Sequence, residues 1–380
     1  MSFNQYTWDL YKQTTIGIEM IKYFSDAGGY VLFKDYCPYA NFIPEDLYND
    51  WLENIYCYGV SDYDHPSLLE EAKDLYISLI TLGIRVEGQQ WLPANDFKNM
   101  LGIIQPMSYV LSQFAPEYFF PYLFLCRIFE LNKIADFFNI DLPNIPKRTD
   151  YKGRCMYYWE LCEVFYLFRK ENGLSPADLW SFLYDFAPNN LPSEKIDMPK
   201  PSQVWFIGGR LYQEDKSLES KFWQSSPETK KGDILVHYET SPISAITCIE
   251  ISLTDGVIDP LFRYYGCIYI GNRINIPHIT LKELQTDEYF FKHPLVRKNF
   301  QGVNGWSVNS ENYSELLRMI KTKGFDIEVL PKLYAPTLPK DVIIEYEHDV
   351  EQQLLEPLLN SMGWYENKDF IRQLPIQAGR

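Results

Sequence analysis

The chain has 380 residues, of which 46% are hydrophobic, and a formal net charge of −16. The hydrophobic content indicates a globular protein rather than a disordered one, and the length is sufficient for two or three domains. The negative charge argues against nonspecific nucleic-acid binding through a generally basic surface.

The cysteines and the N-terminus limit the class of protein further. None of the seven cysteines forms a CxxC pair, and there are five histidines, so we expect no zinc site. Scattered thiols are typical of a reducing, cytoplasmic compartment, and the N-terminal residues do not form a signal peptide. The most apolar run, Tyr118–Phe129, is too short to cross a membrane, and we expect it to form a core helix.

The first 192 residues are predicted to be mostly helical, because apolar residues recur at steps of three and four. The predicted helices are Gln13–Phe24, Glu45–Tyr58, Ser67–Gly83, Asn95–Gln113, Pro121–Phe138, Tyr157–Lys170 and Ala177–Phe186. Gly173 can end one helix, and Ser175 can cap the next with Pro176 at its first position and Asp178 completing a capping box. This region contains no catalytic constellation, and we expect it to be structural or to bind a protein partner.

Two proline-rich linkers predict the domain boundaries. Leu191–Pro201 and Leu330–Lys340 each contain three prolines, which is typical of segments between domains. We therefore expect an α+β multidomain chain with a helical domain (1–195), a β-barrel domain with flanking helices (202–328) and a short α/β tail (340–380). Residues 1–200 carry 27 acidic and 16 basic residues, whereas residues 201–330 carry 16 and 14.

The segment 221–251 predicts a tryptophan loop followed by two strands. Trp223 precedes small polar residues and a Lys-Gly-Asp turn, and the runs Ile234–Tyr238 and Ala245–Ile251 are rich in strand-forming residues. We expect Trp223 to lie in a polar loop at the mouth of a small barrel. An aromatic ring in that position can stack on a planar ligand such as a nucleobase. Packing of Trp223 in the core is the alternative.

This region resembles the EVE domains, which belong with the PUA and YTH folds. The resemblance runs from about residue 202 to 323, through the opening strand Gln203–Gly209, the Trp-small-small element, the Gly-Asp turn and the closing segment Phe300–Ile320. EVE domains are small β-barrels that flip one modified nucleobase into an aromatic pocket. The insert Phe262–Arg273 is this chain's own.

The resemblance implies a set of binding residues. Its base-binding pocket would consist of Trp223, Ser225, Ser226, Tyr238, Trp306, Gly208 and Gly209. Aromatic faces would stack on the base, and small polar or backbone groups would contact its edge. Trp306 is predicted to lie in a turn and to form a second pocket wall, whereas Trp205 is expected in the core. His237 and His278 are lone histidines, for which structural roles are expected.

Two basic clusters are the candidates for contacts with the phosphates of modified double-stranded DNA. These residues are Lys292, Arg297 and Lys298 in one cluster and Arg318 and Lys321 in the other. Such contacts would fix the position of the duplex without reading its sequence. Ordinary solvated surface is the alternative interpretation of both clusters.

The C-terminal segment resembles the opening of the nuclease domain of type I restriction subunits, of the PD-(D/E)xK class. It has a predicted acidic helix, Val342–Leu359, then a Gly-Trp turn and a predicted strand, Phe370–Arg380; Glu347 or Glu351 matches an early glutamate of that family. The family's Pro-Asp motif is missing, and the string Glu366-Asn367-Lys368 lies before the predicted strand. The resemblance implies the front part of a longer nuclease that would need Mg²⁺. For the chain as given we expect no catalytic residue, cofactor or metal site, and a capping helix is the alternative.

Together the two resemblances imply the specificity part of a modification-dependent DNA restriction endonuclease in bacterial defence. Two alternatives remain open. The chain could be a non-enzymatic assembly protein in which the barrel is a scaffold, or a reader of RNA modifications.

Overall fold

The computed structural model describes residues 3–37, 43–83, 85–86, 89–90, 92–192, 198–210, 220–334, 344, 346–362 and 364–371. The chain forms two compact units. The first, here called the helical unit, consists of Met1–Glu194 and Ile258–Tyr265, and the second, the sheet unit, of Lys195–Val257 and Gly266–Arg380. The fold is mixed α+β, and the sheet unit is built on a curled half-barrel sheet.

The helical unit contains α-helices and one short hairpin. The helices are α1 (Gln5–Lys12), α2 (Thr15–Asp26), α3 (Gly29–Tyr36), α4 (Glu45–Ile55), α5 (Leu69–Leu82), α6 (Phe97–Met100), α7 (Ile104–Phe114), α8 (Ile128–Phe138), α9 (Tyr151–Glu171), α10 (Pro176–Ser181) and α11 (Ala187–Asn190); the strands are β1 (Arg85–Val86) and β2 (Gln89–Gln90). The π-helical turns Tyr56–Val60 and Phe182–Phe186 continue α4 and α10. The predicted capping box is confirmed, because Asp178 N–H donates to Ser175 Oγ and Ser175 N–H donates to Asp178.

The apolar run Tyr118–Phe129 is buried but not helical before Ile128, so the core helix predicted there is wrong. Pro121 has no N–H to donate within a helix, and the backbone of Cys126 has a φ of 63°. Hydroxyl groups on neighbouring helices replace the missing backbone hydrogen bonds. Tyr158 Oη donates to the carbonyl of Phe120 at 2.7 Å.

Tyr184 provides the second hydroxyl for this buried segment. Its Oη donates to the carbonyl of Pro121 and accepts a hydrogen bond from Leu123 N–H. Ser108 Oγ accepts another from Tyr122 N–H at 2.8 Å. The tyrosines of the helical unit therefore fill the core. Their hydroxyls also form hydrogen bonds with the backbone of an extended segment that pairs with no strand in the described residues.

The segment Ile258–Tyr265 belongs to the helical unit although it lies between strands in the sequence. Arg154 is buried, and its guanidinium donates to the carbonyls of Pro260 and Phe262 at 2.8 and 2.7 Å. The rings of Tyr151 and Tyr265 lie 5.4 and 5.2 Å from the same guanidinium. Arg154 thus holds this part of the predicted insert in place.

Within its described residues, the sheet unit forms one sheet of seven strands. They are β3 (Val204–Gly209), β4 (Ser220–Gln224), β5 (Ile234–Glu239), β6 (Ala245–Ser252), β7 (Val257–Ile258), β8 (Gly266–Thr280) and β9 (Trp306–Val308). The order is β4-β8-β6-β5-β3-β9, with β7 beside β8, and β3 and β5 are parallel. The predicted strands Gln203–Gly209, Ile234–Tyr238 and Ala245–Ile251 are confirmed, with ends that differ by at most one residue.

Alternating side chains divide the core of the sheet unit into two clusters on opposite faces. The larger cluster includes Val204, Phe206, Val236 and Tyr238. It also takes in buried side chains of the helical segments that follow β8, namely α12 (Leu281–Thr286), α13 (Pro294–Arg297) and α14 (Ser310–Thr322). The smaller cluster consists of Trp205, Ile207, Leu235, Ile268 and Ile270, with Trp223 packed against it. We call the face with the smaller cluster the inner face.

The Gly-Asp turn before β5 is fixed by Asp233. Gly232 has a φ of 91°, which favours glycine. The buried Asp233 carboxylate accepts hydrogen bonds from Ser202 Oγ, Gln203 N–H, Trp205 Nε1 and Lys230 N–H. The turn is therefore tied to the start of β3.

The C-terminal segment is helical from Glu347 to Ser361, formed by α15 (Glu347–Val350), a π-helical turn and α16 (Glu356–Ser361). In the described residues an isolated bridge joins Glu366 to Phe370, and most of the predicted strand lies outside the described residues. Lys230 Nζ forms an ion pair with Asp369 and lies 4.8 Å from the Trp364 ring. None of the helices in the described part of the chain has the length and apolar character needed to cross a membrane.

Candidate functional site

The side chain of Asn304 connects β3 to β4, which are not adjacent in the sheet order. Its Oδ1 accepts hydrogen bonds from Gly208 N–H at 2.8 Å and from Trp223 Nε1–H at 3.3 Å. Its Nδ2 donates to Gln224 Oε1 at 3.3 Å. We call Gly208, Gly209, Trp223, Gln224 and Asn304 the seam. Both amide ends of Asn304 have defined partners, so the side chain has one orientation.

Trp223 lies on β4, opposite Ile268 of β8, and not in the polar loop that the sequence predicts. Gln224 ends the strand, and Ser225 and Ser226 follow it. Its partly exposed ring packs on the inner-face cluster and meets the His237 ring at 4.7 Å and 64°. A Cβ atom on Gly209 would lie 2.5 Å from the Trp223 ring, so glycine at 209 makes room for the indole.

The two predicted serines follow β4 directly. Ser225 is buried, and its Oγ is 3.0 Å from Thr229 Oγ1. Ser226 is partly exposed, and its Oγ accepts a hydrogen bond from Glu228 N–H. Gly305, the residue after Asn304, would carry a Cβ 2.5 Å from Ser226 N. The structure therefore brings Ser226 beside the seam, together with Trp223, Gly208 and Gly209.

Tyr238 and Trp306 do not join this group. Tyr238 is buried in the larger cluster, where its ring stacks on Phe300 at 4.0 Å and 3°. Trp306 lies on β9 rather than in a turn, opposite Phe206, and packs on the same cluster. Their prediction as pocket walls beside Trp223 is wrong, because the alternation of side chains along β3, β5 and β9 places them on the opposite face of the sheet.

A buried polar cluster lies behind Trp223 on the inner face. Glu250 accepts a hydrogen bond from His237 Nδ1 at 3.0 Å and another from Arg273 Nε at 2.8 Å. Burial would raise the pKa of Glu250, but the hydrogen bonds and charges of His237 and Arg273 outweigh it and lower this pKa. His237 Nε2 is buried without a hydrogen-bond partner in the described structure.

The same cluster has the spacing of a metal site but not its electrostatics. His237, Cys248 and Glu250 place one ligand atom each within 4.8 Å of one another. The Glu250 carboxylate already accepts a hydrogen bond from the Arg273 guanidinium. Burial raises the pKa of the Cys248 thiol to about 12. A metal ion needs a deprotonated thiolate and a free carboxylate, so the geometry favours an ion-pair cluster.

The basic side chains predicted to contact phosphates differ in their exposure and ion pairing. Lys292, Arg297, Lys298 and Lys321 are exposed. Arg318 instead donates to Asp287 at 2.7 Å and to Glu315 at 2.6 Å, and these hydrogen bonds raise its pKa. Because two carboxylates already neutralise Arg318, it is a weaker candidate for phosphate binding than the other four.

The two predicted nuclease-helix acids lie in the C-terminal helix. The side chain of Glu347 lies outside the described residues, and Glu351 begins the π-helical turn Glu351–Leu355. Among the described side chains, Glu351 does not belong to a group of potential metal ligands.

Asn304 is the site residue that sequence reasoning missed. It stands in a Gly/Asn-containing segment, Val303-Asn304-Gly305, that is typical of a turn. Nothing local indicates that its side chain reaches two strands which lie about 80 and 96 positions away in the chain.

No family model matches the chain, and no curated protein matches it. Among solved structures, the NMR structure of Rpa0253 from Rhodopseudomonas palustris is similar to this chain with a TM-score of 0.28 and 13% sequence identity. That similarity covers 32% of this chain and 94% of the other chain.

Proposed function

We propose that the sheet unit binds one modified nucleobase, flipped out of double-stranded DNA, against Trp223. The observation that carries the proposal is the seam itself. A partly exposed indole, a fixed side-chain amide and backbone groups of a glycine pair meet at one place on the curled sheet. Extruded bases are bound by this combination of an aromatic face and polar groups that contact the base edge.

Asn304 contributes in two ways to such a site. By accepting from Trp223 Nε1–H, it fixes the rotation of the indole that would stack on the base. Its Nδ2 donates one hydrogen to Gln224 and has a second hydrogen for an acceptor on a base edge. The hydroxyl of the partly exposed Ser226 is a further polar group beside the seam.

The charge distribution supports a nucleic-acid partner at the sheet unit rather than at the helical unit. Residues 201–330 are nearly neutral, whereas residues 1–200 have a formal net charge of −11. The exposed bases Lys292, Arg297, Lys298 and Lys321 are available for a few local phosphate contacts. The role of this module in a restriction endonuclease rests on the resemblance of the C-terminal segment and stays a prediction.

The test is a binding titration with labelled duplexes that carry one methylated or hydroxymethylated cytosine, one methylated adenine, or no modification. We expect selective binding of at least one modified duplex. Trp223→Ala should weaken it by about 5- to 150-fold, because base–aromatic stacking contributes roughly 1–3 kcal/mol. Retained affinity in a folded Trp223→Ala protein would contradict the proposal, and stronger binding of modified single-stranded RNA would identify an RNA reader.

Two further variants locate the effect. Trp306→Ala removes the same side chain from the opposite face, so it should lower stability but leave the preference for modified DNA unchanged. Gly209→Ala places a methyl group against the Trp223 ring. It should therefore weaken binding while the rest of the sheet remains folded.

A further inference from the structure

A cavity of about 360 Å³ lies in the helical unit, bordered by α3, α4 and α7. Leu52, Val110 and Phe114 contribute its apolar surface. This volume lies in the range of small-molecule sites, which are mostly apolar with a few placed polar groups. The cavity is independent of the seam, since all the residues that line it belong to the helical unit.

The polar side chains of the cavity present hydrogen-bond acceptors. His65 Nδ1 lies 2.9 Å from the carbonyl of Phe114, and a carbonyl can only accept, so Nδ1 carries the hydrogen. In the neutral imidazole Nε2 is then an acceptor. Gln113 Nε2 donates one hydrogen to the carbonyl of Ala27 at 3.4 Å, which leaves Oε1 as an acceptor and the second Nε2 hydrogen as a donor.

Glu53 adds a negative charge to these acceptors. Its carboxylate is exposed, and no hydrogen bond or ion pair engages it within the described structure. Residues 45–64 contain six acids and neither lysine nor arginine. Tyr56 also lines the cavity, and the His65 ring stacks on the Phe114 ring at 4.1 Å, so aromatic faces border the same space.

We propose that this cavity is a binding site for a small organic ammonium ion. The apolar body of the ligand would lie on Leu52, Val110 and Phe114, and its ammonium group would donate to Glu53 and Gln113. A cation is favoured over a neutral ligand or an anion, because the Glu53 carboxylate in the lining is negatively charged and Gln113 Oε1 is an acceptor beside it. The proposal does not depend on nucleobase binding at the seam.

The experiment compares three probes that share one skeleton and differ in charge: phenethylammonium, phenethyl alcohol and phenylacetate. Each is titrated against the full chain at low ionic strength, with binding followed by ligand-observed NMR. We expect saturable binding of phenethylammonium, weaker binding of the alcohol and none of the anion. Glu53→Gln should weaken the ammonium by about tenfold and leave the alcohol unchanged, because the amide keeps the shape of the carboxylate but not its charge.

Two variants serve as controls. Asp50→Asn removes the same charge from α4 at an exposed position that does not line the cavity, and it should change the affinity by less than about twofold. Glu53→Asp keeps the charge and should retain part of the affinity. The proposal is wrong if the alcohol binds as tightly as the ammonium, if Glu53→Gln and Asp50→Asn weaken the ammonium equally, or if none of the probes saturates.

Discussion

The two units provide hydrogen-bond partners for their buried backbone groups in different ways. In the sheet unit the ladders of β3, β5, β6 and β8 pair the buried backbone groups with one another. In the helical unit the extended segment after α7 has no such ladder and depends on the hydroxyls of Tyr158 and Tyr184. At the seam Asn304 combines two roles, because its Oδ1 accepts from Gly208 N–H while one Nδ2 hydrogen stays available for a ligand.

The largest effect is expected for Arg154 of the helical unit. Arg154→Ala removes hydrogen bonds to the carbonyls of Pro260, Phe262 and Arg148 and leaves buried acceptors unpaired. We expect a loss of about 3–5 kcal/mol in the free energy of unfolding, measured in urea. Lys152→Ala changes an exposed cation on the same helix and should cost less than about 0.5 kcal/mol. Equal losses in the two variants would contradict a structural role for the buried guanidinium.

A smaller loss should follow the removal of one hydroxyl group. Tyr184→Phe leaves the carbonyl of Pro121 and the N–H of Leu123 without their partner, at a cost of about 1–3 kcal/mol. Tyr48→Phe removes a buried hydroxyl that has no hydrogen-bond partner in the described structure, so its unfolding free energy should stay constant or rise. If both variants were equally destabilised, hydroxyl pairing would not distinguish these tyrosines.

The two units also contain buried carboxylates with opposite responses to pH. Burial raises the pKa of Asp259 in the helical unit to about 6, against the hydrogen bonds that it accepts from Leu261 and Phe262. In the unfolded state the pKa of an Asp side chain is about 3.9. The folded state therefore binds more protons between these values, and stability falls as the pH rises through that window. Asp259→Asn should remove this decline, of about 3 kcal/mol.

For Glu250 of the sheet unit we expect stability to change with pH in the opposite direction. Its folded pKa is lowered, so its stabilising contribution is present above the unfolded value and is lost as the pH falls through the folded value. Glu250→Gln should therefore make stability less sensitive to acid below about pH 4. Urea titrations of both variants across pH check the two signs, and a common sign would contradict the assigned environments.

The sequence predicts what local patterns determine. The Ser175–Asp178 capping box and the strand Ile234–Glu239 depend on residues close in the chain, and both are confirmed. The run Tyr118–Phe129 is apolar enough for a helix, but Tyr158 and Tyr184, distant in sequence, stabilise an extended form. The polar residues after Trp223 indicate a loop, yet pairing with β8 places Trp223 within strand β4. The face on which Tyr238 and Trp306 lie follows from strand register, which a single sequence does not fix.

The smallest global effect is expected at the seam, where Asn304 joins β3 to β4 beside a partly exposed indole. Asn304→Ala removes the acceptor of Gly208 N–H and the link to Trp223 Nε1–H. Because this hydrogen bond is only partly buried, water can replace the lost amide oxygen, and we expect the free energy of unfolding to fall by about 1 kcal/mol. Hydrogen exchange of the Gly208 amide should nevertheless accelerate by about five- to tenfold, since a local opening then exposes it. Ser307→Ala, an exposed change on the neighbouring β9, is the control and should leave that rate unchanged. A large global loss for Asn304→Ala would make the seam a structural joint like the tyrosine contacts of the helical unit, whereas faster local exchange with little global loss would keep it as a place where a ligand can enter.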